Sequence, residues 1–184
     1  MDVKADKYKQ GFSLMELVIV IGIVALLTGA AALGVGMLRT ADTKGTADRI
    51  NSAFGELKTE NMAKEGTTYM NLYLHDGVYY IKYSSGSPMN SVSVSDLGKK
   101  IGTSVSELSF NGTALENDAI YSFAIRKKDG SLGDENGIVY YVANGAPSSP
   151  QAMPSPSEIL VKPTKSGSSH KIVIVSNTGR HYVE

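Results

Sequence analysis

The sequence predicts an α+β protein in which one long N-terminal α-helix packs on a head of antiparallel β-strands. Three observations support this fold class. An uncharged apolar stretch lies near the start of the chain, an amphipathic helical pattern follows it, and short strand-like runs separated by turn signals make up the rest. The length of 184 residues suits one head domain better than two.

The apolar stretch runs from Leu17 to Leu38 and lies between Glu16 and Arg39. As a helix rising about 1.5 Å per residue it would be roughly 33 Å long, enough to cross a hydrocarbon core of about 30 Å. Lysines outnumber aspartates in the segment ahead of it. Because positive charge marks the cytoplasmic flank, we expect residues 1–11 in the cytoplasm and the head outside it.

Apolar residues recur at three- and four-residue intervals in the next segment, 39–65. This spacing predicts that the helix continues with one face packed on the head. We expect a single helix from Phe12 to Glu65, ended by Gly66. The apolar face consists of Ala47, Ile50, Phe54 and Leu57.

Beyond Gly66 the sequence favours antiparallel strands. Tyr69–Leu74 and Val78–Tyr83 flank an Asp-Gly pair, which is typical of a two-residue hairpin turn. The segment 146–158 contains four prolines and is expected to be a loop. Further strands are predicted at 91–97, 104–110, 120–130, 137–142, 158–163 and 171–183.

Composition and motifs argue against catalysis and against nucleic-acid binding. The 18 basic and 18 acidic residues cancel, and no basic stripe with interleaved aromatic residues is present. The chain has no cysteine, so disulfides, thiolate metal sites and a cysteine nucleophile are excluded. Because no nucleophile motif occurs either, we expect no enzymatic activity and no cofactor.

One acidic loop in the head suggests a metal-binding site. Asp129, Asp134, Glu135 and Asn136 carry the hard oxygen donors that calcium prefers. The loop does not have the EF-hand spacing, so a solvated hairpin loop is the better interpretation. Calcium binding stays open at this point.

Glu16 is the unusual residue of the apolar segment, because a carboxylate placed centrally in lipid costs on the order of 2.5–3.5 kcal/mol. Residues 12–38 offer no basic side chain as its partner. A secretory signal peptide cut near Ala32, or an uncleaved signal anchor, leaves Glu16 unexplained. Cleavage between Gly11 and Phe12 would place a new α-amine one helical turn from Glu16, or beside the Glu16 of a staggered neighbouring copy.

The segment KQGFSLMELVIVIGIVALL resembles the class III signal of type IV pilins and type II secretion pseudopilins. That signal has Gly, an aromatic residue, Ser or Thr, Leu, a free position and Glu ahead of a long apolar run. The residues that match it are Gly11, Phe12, Ser13, Leu14, Glu16 and Leu17. The resemblance implies the pilin fold, cleavage by a prepilin peptidase after Gly11, N-methylation of Phe12 and a role of Glu16 in assembly.

Two further features bear on the subtype. Many members of this family have proline where this chain has Leu33, which is flanked here by glycines that each weaken a helix by about 1 kcal/mol relative to alanine. We therefore expect local softening at Gly34–Gly36 without a proline kink. The C-terminal stretch KIVIVSNTGRHYV resembles the H-type minor pseudopilin family in its apolar alternation followed by Thr-Gly-Arg.

The resemblance implies a prepilin-type structural subunit of a type IV pilus or a type II secretion-like pseudopilus. Its partners would be a prepilin peptidase, other pilin or pseudopilin subunits, an assembly platform protein and a motor ATPase. It would cross the cytoplasmic membrane once, with the head extracytoplasmic, and end in a cell-surface or periplasmic filament. The alternative is a single-pass, membrane-anchored extracytoplasmic binding domain that does not polymerise. The expected segments are a cleaved leader at 1–11, a transmembrane helix at 12–38, an amphipathic helix at 39–65 and a β-rich head at 66–184.

Overall fold

One α-helix, α1 (Leu14–Ala63), forms the first part of the chain in the computed structural model. The structure describes residues 13–143, 146–151, 155–165 and 167–184. The chain divides into two units, 1–37 and 38–184, so that α1 contributes to both. The helix is continuous from Gly29 to Gly36, and the softening expected there stays a prediction about the assembled state.

Eleven strands follow α1 within the described residues, and every pair of neighbouring strands is antiparallel. The first sheet has the order β3-β2-β1-β6-β7-β8 and the second has the order β11-β10-β9-β4-β5. The strands are β1 (Thr68–His75), β2 (Val78–Ser85), β3 (Lys99–Thr103), β4 (Ser106–Phe110), β5 (Thr113–Ala114), β6 (Ile120–Phe123), β7 (Val139–Ala143), β8 (Ala146–Gln151), β9 (Ser157–Pro163), β10 (His170–Val175) and β11 (Arg180–Val183).

The second half of α1 packs on the sheets through the predicted apolar face. All four residues of that face, Ala47, Ile50, Phe54 and Leu57, are 0% exposed. The Phe54 ring meets the Phe123 ring edge-on at a centroid distance of 5.2 Å. An edge-on pair of buried rings adds about 0.5–1.5 kcal/mol of stability beyond what the buried area alone contributes. The predicted α+β, pilin-like arrangement is confirmed.

The predicted hairpin is also confirmed. His75 pairs with Val78, which leaves Asp76 and Gly77 as a two-residue loop between β1 and β2. Both loop residues have positive φ, 46° at Asp76 and 72° at Gly77. Asp and Gly tolerate this left-handed backbone, and the resulting turn matches the twist of the strands.

The strand predicted at 91–97 is wrong. This segment is irregular, and the strand lies further on, at β3. Val92 and Leu97 instead pack on a cluster on the first sheet that includes Tyr73. The segment is therefore a loop, in which Val92 helps to cover a sheet face while Val94 is exposed.

The loop predicted at 146–158 is wrong for its first part, which forms β8. This strand contains two prolines, and it lies at the edge of the first sheet, next to β7 only. Proline removes a backbone donor, so it is tolerated at an edge where that donor would have no partner strand.

Side-chain hydrogen bonds connect the second half of α1 to the head, near both ends of this half of the helix. At one end, Thr43 Oγ1 donates to the Ser168 carbonyl at 3.1 Å. At the other end, the Asn61 side chain donates to the Thr68 carbonyl at 2.8 Å and accepts from the Thr68 N–H at 2.7 Å. Asn61 is 0% exposed, so both of its backbone bonds form inside the core.

Candidate functional site at the start of the helix

The first half of α1 is an apolar surface. Every large apolar side chain from Leu14 to Leu27 is at least half exposed. By length and composition, α1 contains a segment able to cross a membrane, and this segment lies near the N-terminus. An apolar surface of this size is stable in lipid or against other helices and unstable in water. The segment fits a single-pass membrane anchor.

Glu16 has an intramolecular partner in this structure. The Ser13 N–H donates to Glu16 Oε2 at 2.9 Å, and the Glu16 N–H donates to Ser13 Oγ at 3.2 Å. The Leu17 N–H donates to the Ser13 carbonyl at 3.2 Å, which is the first helical bond. Ser13 is thus the N-cap and Glu16 the third helical residue of a capping box.

The capping box explains part of the position of Glu16. Helix N-termini leave backbone N–H groups without partners, and two of these are satisfied here. The carboxylate also lies in the first turn, where the positive end of the helix dipole favours it by about 0.3–1 kcal/mol. The sequence analysis places Ser13 in the signal without predicting that it caps the helix, although Ser-x-x-Glu ahead of an apolar run is typical of a capping box.

The other two predicted site residues, Gly11 and Phe12, lie outside the described residues. The expected cleavage between them, the N-methylation of Phe12 and the ion pair of its amine with Glu16 therefore stay predictions. The described geometry ends at Ser13, the residue that follows Phe12 directly.

In the acidic loop of the head, one carboxylate accepts hydrogen bonds from protein donors. Asp134 is 6% exposed, and its Oδ1 accepts from the N–H groups of Asn136 at 2.9 Å and Ile138 at 3.0 Å. Its Oδ2 accepts from the Tyr140 hydroxyl at 2.7 Å. This hydrogen bond, together with burial, raises the pKa of Tyr140 to about 12.

The second carboxylate of the loop is held in a similar way. Asp129 Oδ1 accepts from the Ser131 N–H at 3.0 Å, and its Oδ2 lies 3.4 Å from a guanidinium nitrogen of Arg126. The hydrogen bonds from Ser131, and the charge of Arg126, lower the pKa of Asp129. Internal donors thus bond to the carboxylate oxygens of Asp129 and Asp134, and the described residues contain no group of three or more His, Cys, Asp or Glu side chains that could hold a metal ion.

The comparisons with known proteins identify the N-terminal segment. Residues 6–32 match the family model of the prokaryotic N-terminal methylation motif. No curated protein and no solved structure matches the chain. The likeness of the C-terminal part to the H-type minor pseudopilins therefore stays a prediction.

The motif contains Gly11, Phe12 and Glu16, and it overlaps the exposed apolar part of α1. It indicates a structural subunit rather than an enzyme, and it implies processing by a prepilin peptidase and association with other pilin subunits. Residues 6–32 are a class III prepilin signal, as found in type IV pilins and pseudopilins.

Proposed function

We propose that this chain is the precursor of a filament subunit, cut after Gly11 and assembled through α1 into a type IV pilus or a type II secretion-like pseudopilus. The observation that carries the proposal is the coincidence of the methylation motif with the first half of α1, whose apolar side chains are exposed. In this account residues 1–11 are the leader, 12–38 the core helix, 39–65 the amphipathic helix and 66–184 the head.

The exposed apolar surface of α1 contacts lipid before assembly and other helices afterwards. Before assembly, lipid covers the side chains from Leu14 to Leu27 and the head lies outside the cytoplasmic membrane. In the filament, the same side chains pack against the helices of neighbouring subunits. Lipid tails and helix surfaces are similarly apolar, so close packing and specific polar contacts decide which state is favoured. An assembly platform protein and a motor ATPase would supply the work of extraction.

Glu16 provides the specific polar contact. A carboxylate surrounded by apolar helices is stable only with a partner, and cleavage after Gly11 creates a cation at Phe12. If the amine of one subunit meets the Glu16 of the next, the pair fixes the axial stagger between helices. Removing one member of a desolvated pair leaves an uncompensated charge, which costs about 3–5 kcal/mol.

Replacing Glu16 with alanine tests this role. We expect Glu16→Ala to be inserted and cut normally but to yield at least tenfold less filament, since a loss of even 1.4 kcal/mol per contact is tenfold. The measurement is the amount of subunit in sheared filaments relative to processed subunit in the membrane. Glu65→Ala, which removes an exposed carboxylate from the residues just after α1, is the matched control and should assemble normally.

The opposite result would favour the alternative function, a membrane-anchored binding domain that does not polymerise. In such a domain the charge of Glu16 would have no role in assembly. If Glu16→Ala and wild type gave the same yield of filament, or if neither gave any with the peptidase and the motor present, the proposed function would be wrong.

A further inference from the structure

We propose that Val94, at the tip of the loop between β2 and β3, docks into an apolar slot beside α1 of a second copy of this chain. The inference rests on the proposed function and deepens it, because it names one lateral contact between the heads of neighbouring subunits. Its basis is an apolar cavity and an exposed apolar side chain that lie on different faces of one head, with complementary charges beside them.

The slot lies between the second half of α1 and the edge of the first sheet that β3 forms. Three buried apolar residues line it, Ala53, Ile81 and Ile101. Arg49 Nη1 donates to the Ile101 carbonyl at 2.6 Å, and the Tyr83 hydroxyl donates to the Ala53 carbonyl at 3.1 Å, so α1 is joined to the sheet on both sides of the slot. The cavity volume is about 210 Å³. Since an apolar cavity of about 150 Å³ holds benzene, the slot is large enough for an aliphatic side chain.

The residue that fits the slot, Val94, lies at the tip of a tight turn. The Asp96 N–H donates to the Ser93 carbonyl at 3.2 Å, so Val94 and Ser95 are the central residues of a β-turn. Val94 is 71% exposed, the largest value for a large apolar side chain among the described residues beyond 38. Such tips favour Gly, Asn, Asp, Ser and Pro for conformational reasons that do not apply to valine. A contact outside the chain explains the choice of valine.

The rest of the loop holds this turn against the first sheet. Val92 packs on the cluster that includes Tyr73, and the Gly98 N–H donates to the Tyr73 hydroxyl at 2.8 Å. Lys82 Nζ donates to the Asp96 carbonyl at 3.1 Å. An exposed valine alone is ordinary on a protein surface, but this one is presented by a loop that is fixed at several points. A fixed loop has little conformational freedom left to lose when it docks.

Val94 and the slot lie near the same residues of β2 but on opposite faces of that strand. Ile81 lines the slot, and the next residue, Lys82, is bonded to Asp96 beside Val94. Successive side chains of a strand point to opposite faces of the sheet. Contact between two copies therefore joins two different surfaces. A contact of this heterologous kind, where it does not close into a ring, repeats along an open helical filament.

The charges beside the two surfaces are complementary. The Asp96 side chain is 73% exposed, and its Oδ2 is 2.5 Å from Lys82 Nζ, while its Oδ1 accepts no hydrogen bond within the described residues. Of the two cations that line the slot, Arg49 is bonded to a carbonyl, and Lys99 has no ion pair in the part of the chain that the structure describes. A copy that places Val94 in the slot brings its Asp96, two residues further on, close to Lys99.

Two carboxylates on the helix side of the slot fix the orientation of the docked loop. Asp48 and Glu56 line the slot from α1, whereas Lys99 lines it from β3. Glu56 Oε2 already accepts from the Tyr83 hydroxyl at 3.0 Å, and another carboxylate near it would be repelled. The Asp96 of the docked copy is therefore directed toward Lys99 and away from α1.

Cysteine variants test the contact directly, because the chain has no cysteine of its own. Val94→Cys places a thiol on the loop tip, and Ser52→Cys places one at the slot. The two full-length variants are expressed together with the peptidase and the assembly machinery, and the sheared filaments are treated with a short bismaleimide. We expect cross-linked dimers from the mixture and none from either variant alone.

A chain that carries both cysteines extends this test. Each subunit then reaches one neighbour through its loop tip and another through its slot, so we expect a ladder of trimers and larger species. The matched control combines Ser52→Cys with Tyr182→Cys. Tyr182 is also exposed but lies in β11 of the second sheet, and this pair should give no ladder.

A charge at the loop tip should impair assembly. For Val94→Asp we expect normal cleavage and a severalfold lower ratio of sheared filament to processed membrane subunit, because a carboxylate would enter an apolar slot next to Asp48 and Glu56. Val105→Asp changes another exposed valine and should assemble like wild type.

The outcomes separate this inference from the proposed function. Filaments that give no dimers from the mixture, or a Val94→Asp chain that assembles like wild type, would overturn the inference and leave the proposed function unaffected. Dimers from Val94→Cys alone would also overturn it, because the loop tip would then meet its own equivalent. Cross-links from Ser52→Cys only to a different filament protein would assign the slot to another partner and likewise reject a second copy. If wild type forms no filament under these conditions, the proposed function itself is wrong.

Discussion

Tyr140 closes the acidic loop of the head by donating to a buried carboxylate. Its hydroxyl is 2.7 Å from Asp134 Oδ2, and Asp134 is 6% exposed. A buried carboxylate oxygen that loses its donor costs about 1–3 kcal/mol. Internal hydrogen bonds thus hold this loop in place.

Replacing Tyr140 with phenylalanine should therefore lower the free energy of unfolding of the head by about 1–3 kcal/mol. Thermal or urea unfolding of the full chain in detergent measures this loss. Tyr182→Phe is the control, because Tyr182 is 44% exposed and its substitution should change stability by less than about 0.5 kcal/mol. Equal stabilities of the two variants would contradict the account of the loop.

His75 lies at the end of β1 between two carboxylates. Its Nδ1 is 2.6 Å from Asp118 Oδ1, and its Nε2 is 3.6 Å from Asp76 Oδ2. The hydrogen bond with Asp118 outweighs the effect of burial and raises the pKa of His75 above 6.5, with a further contribution from the charges of both aspartates. Protonated His75 therefore links the β1–β2 turn to the loop ahead of β6.

Stability should consequently depend on pH through His75. A raised folded-state pKa means that the stabilisation is complete below about pH 6.5 and is lost as the pH rises through the folded-state value. We expect the Tm of wild type to fall more than that of His75→Gln between about pH 6 and about pH 8. Asp118→Asn should flatten the profile in the same way, and parallel profiles for wild type and His75→Gln would show that the pair contributes nothing.

Glycines recur every seven residues along the exposed half of α1, at Gly22, Gly29 and Gly36. Seven residues are close to two helical turns, so these positions share one face, with a drift of about 20° per repeat. A Cβ added at any of them would have open space within 4 Å. Small residues on one face allow helices to approach closely, which is where filament contacts would form.

A bulky side chain on this face should impair assembly, and the same bulk on the opposite face should not. We expect Gly29→Leu to lower the ratio of filament to membrane subunit severalfold, because leucine keeps neighbouring helices apart. Ala31→Leu is the control, since Ala31 lies about 200° around the helix from Gly29. Both variants should insert and be cut normally. Equal loss, or no loss, in the two variants would argue against a glycine contact face.

The elements that follow a strong local pattern could be predicted from sequence. The three- and four-residue spacing of Ile50, Phe54 and Leu57 predicted the buried face of α1, and Asp76-Gly77 predicted the first hairpin. By contrast, β3 begins with two lysines and has no alternation. It forms because it pairs with residues 78–81 of β2, a tertiary contact that no local pattern reveals.

The residues of the candidate site also differ in how far local sequence patterns predict them. Glu16 stands out in the sequence because its charge conflicts with its surroundings, and the Ser13 cap has a recognisable spacing. The proposed cleavage between Gly11 and Phe12 has a different origin. It depends on recognition by a peptidase and not on the folding of the chain, so the motif carries that information and local physics does not.

The molecule has two parts with different surfaces: the first half of α1 is stable in lipid or against other helices, and the rest of the chain has a buried core. Among the described residues, the buried apolar side chains all lie beyond residue 38, so the second half of α1 and the head together form one core. In the proposed function, the exposed apolar part of α1 exchanges lipid for other helices. This division would let one chain be a stable membrane protein first and a filament subunit afterwards.

The mature N-terminus tests the account most directly. Mass spectrometry of the subunit taken from cells with its peptidase should find a chain that begins at Phe12, carries one N-methyl group and occurs in filaments. A chain that still carries residues 1–11, or one that begins near residue 33, would contradict the account.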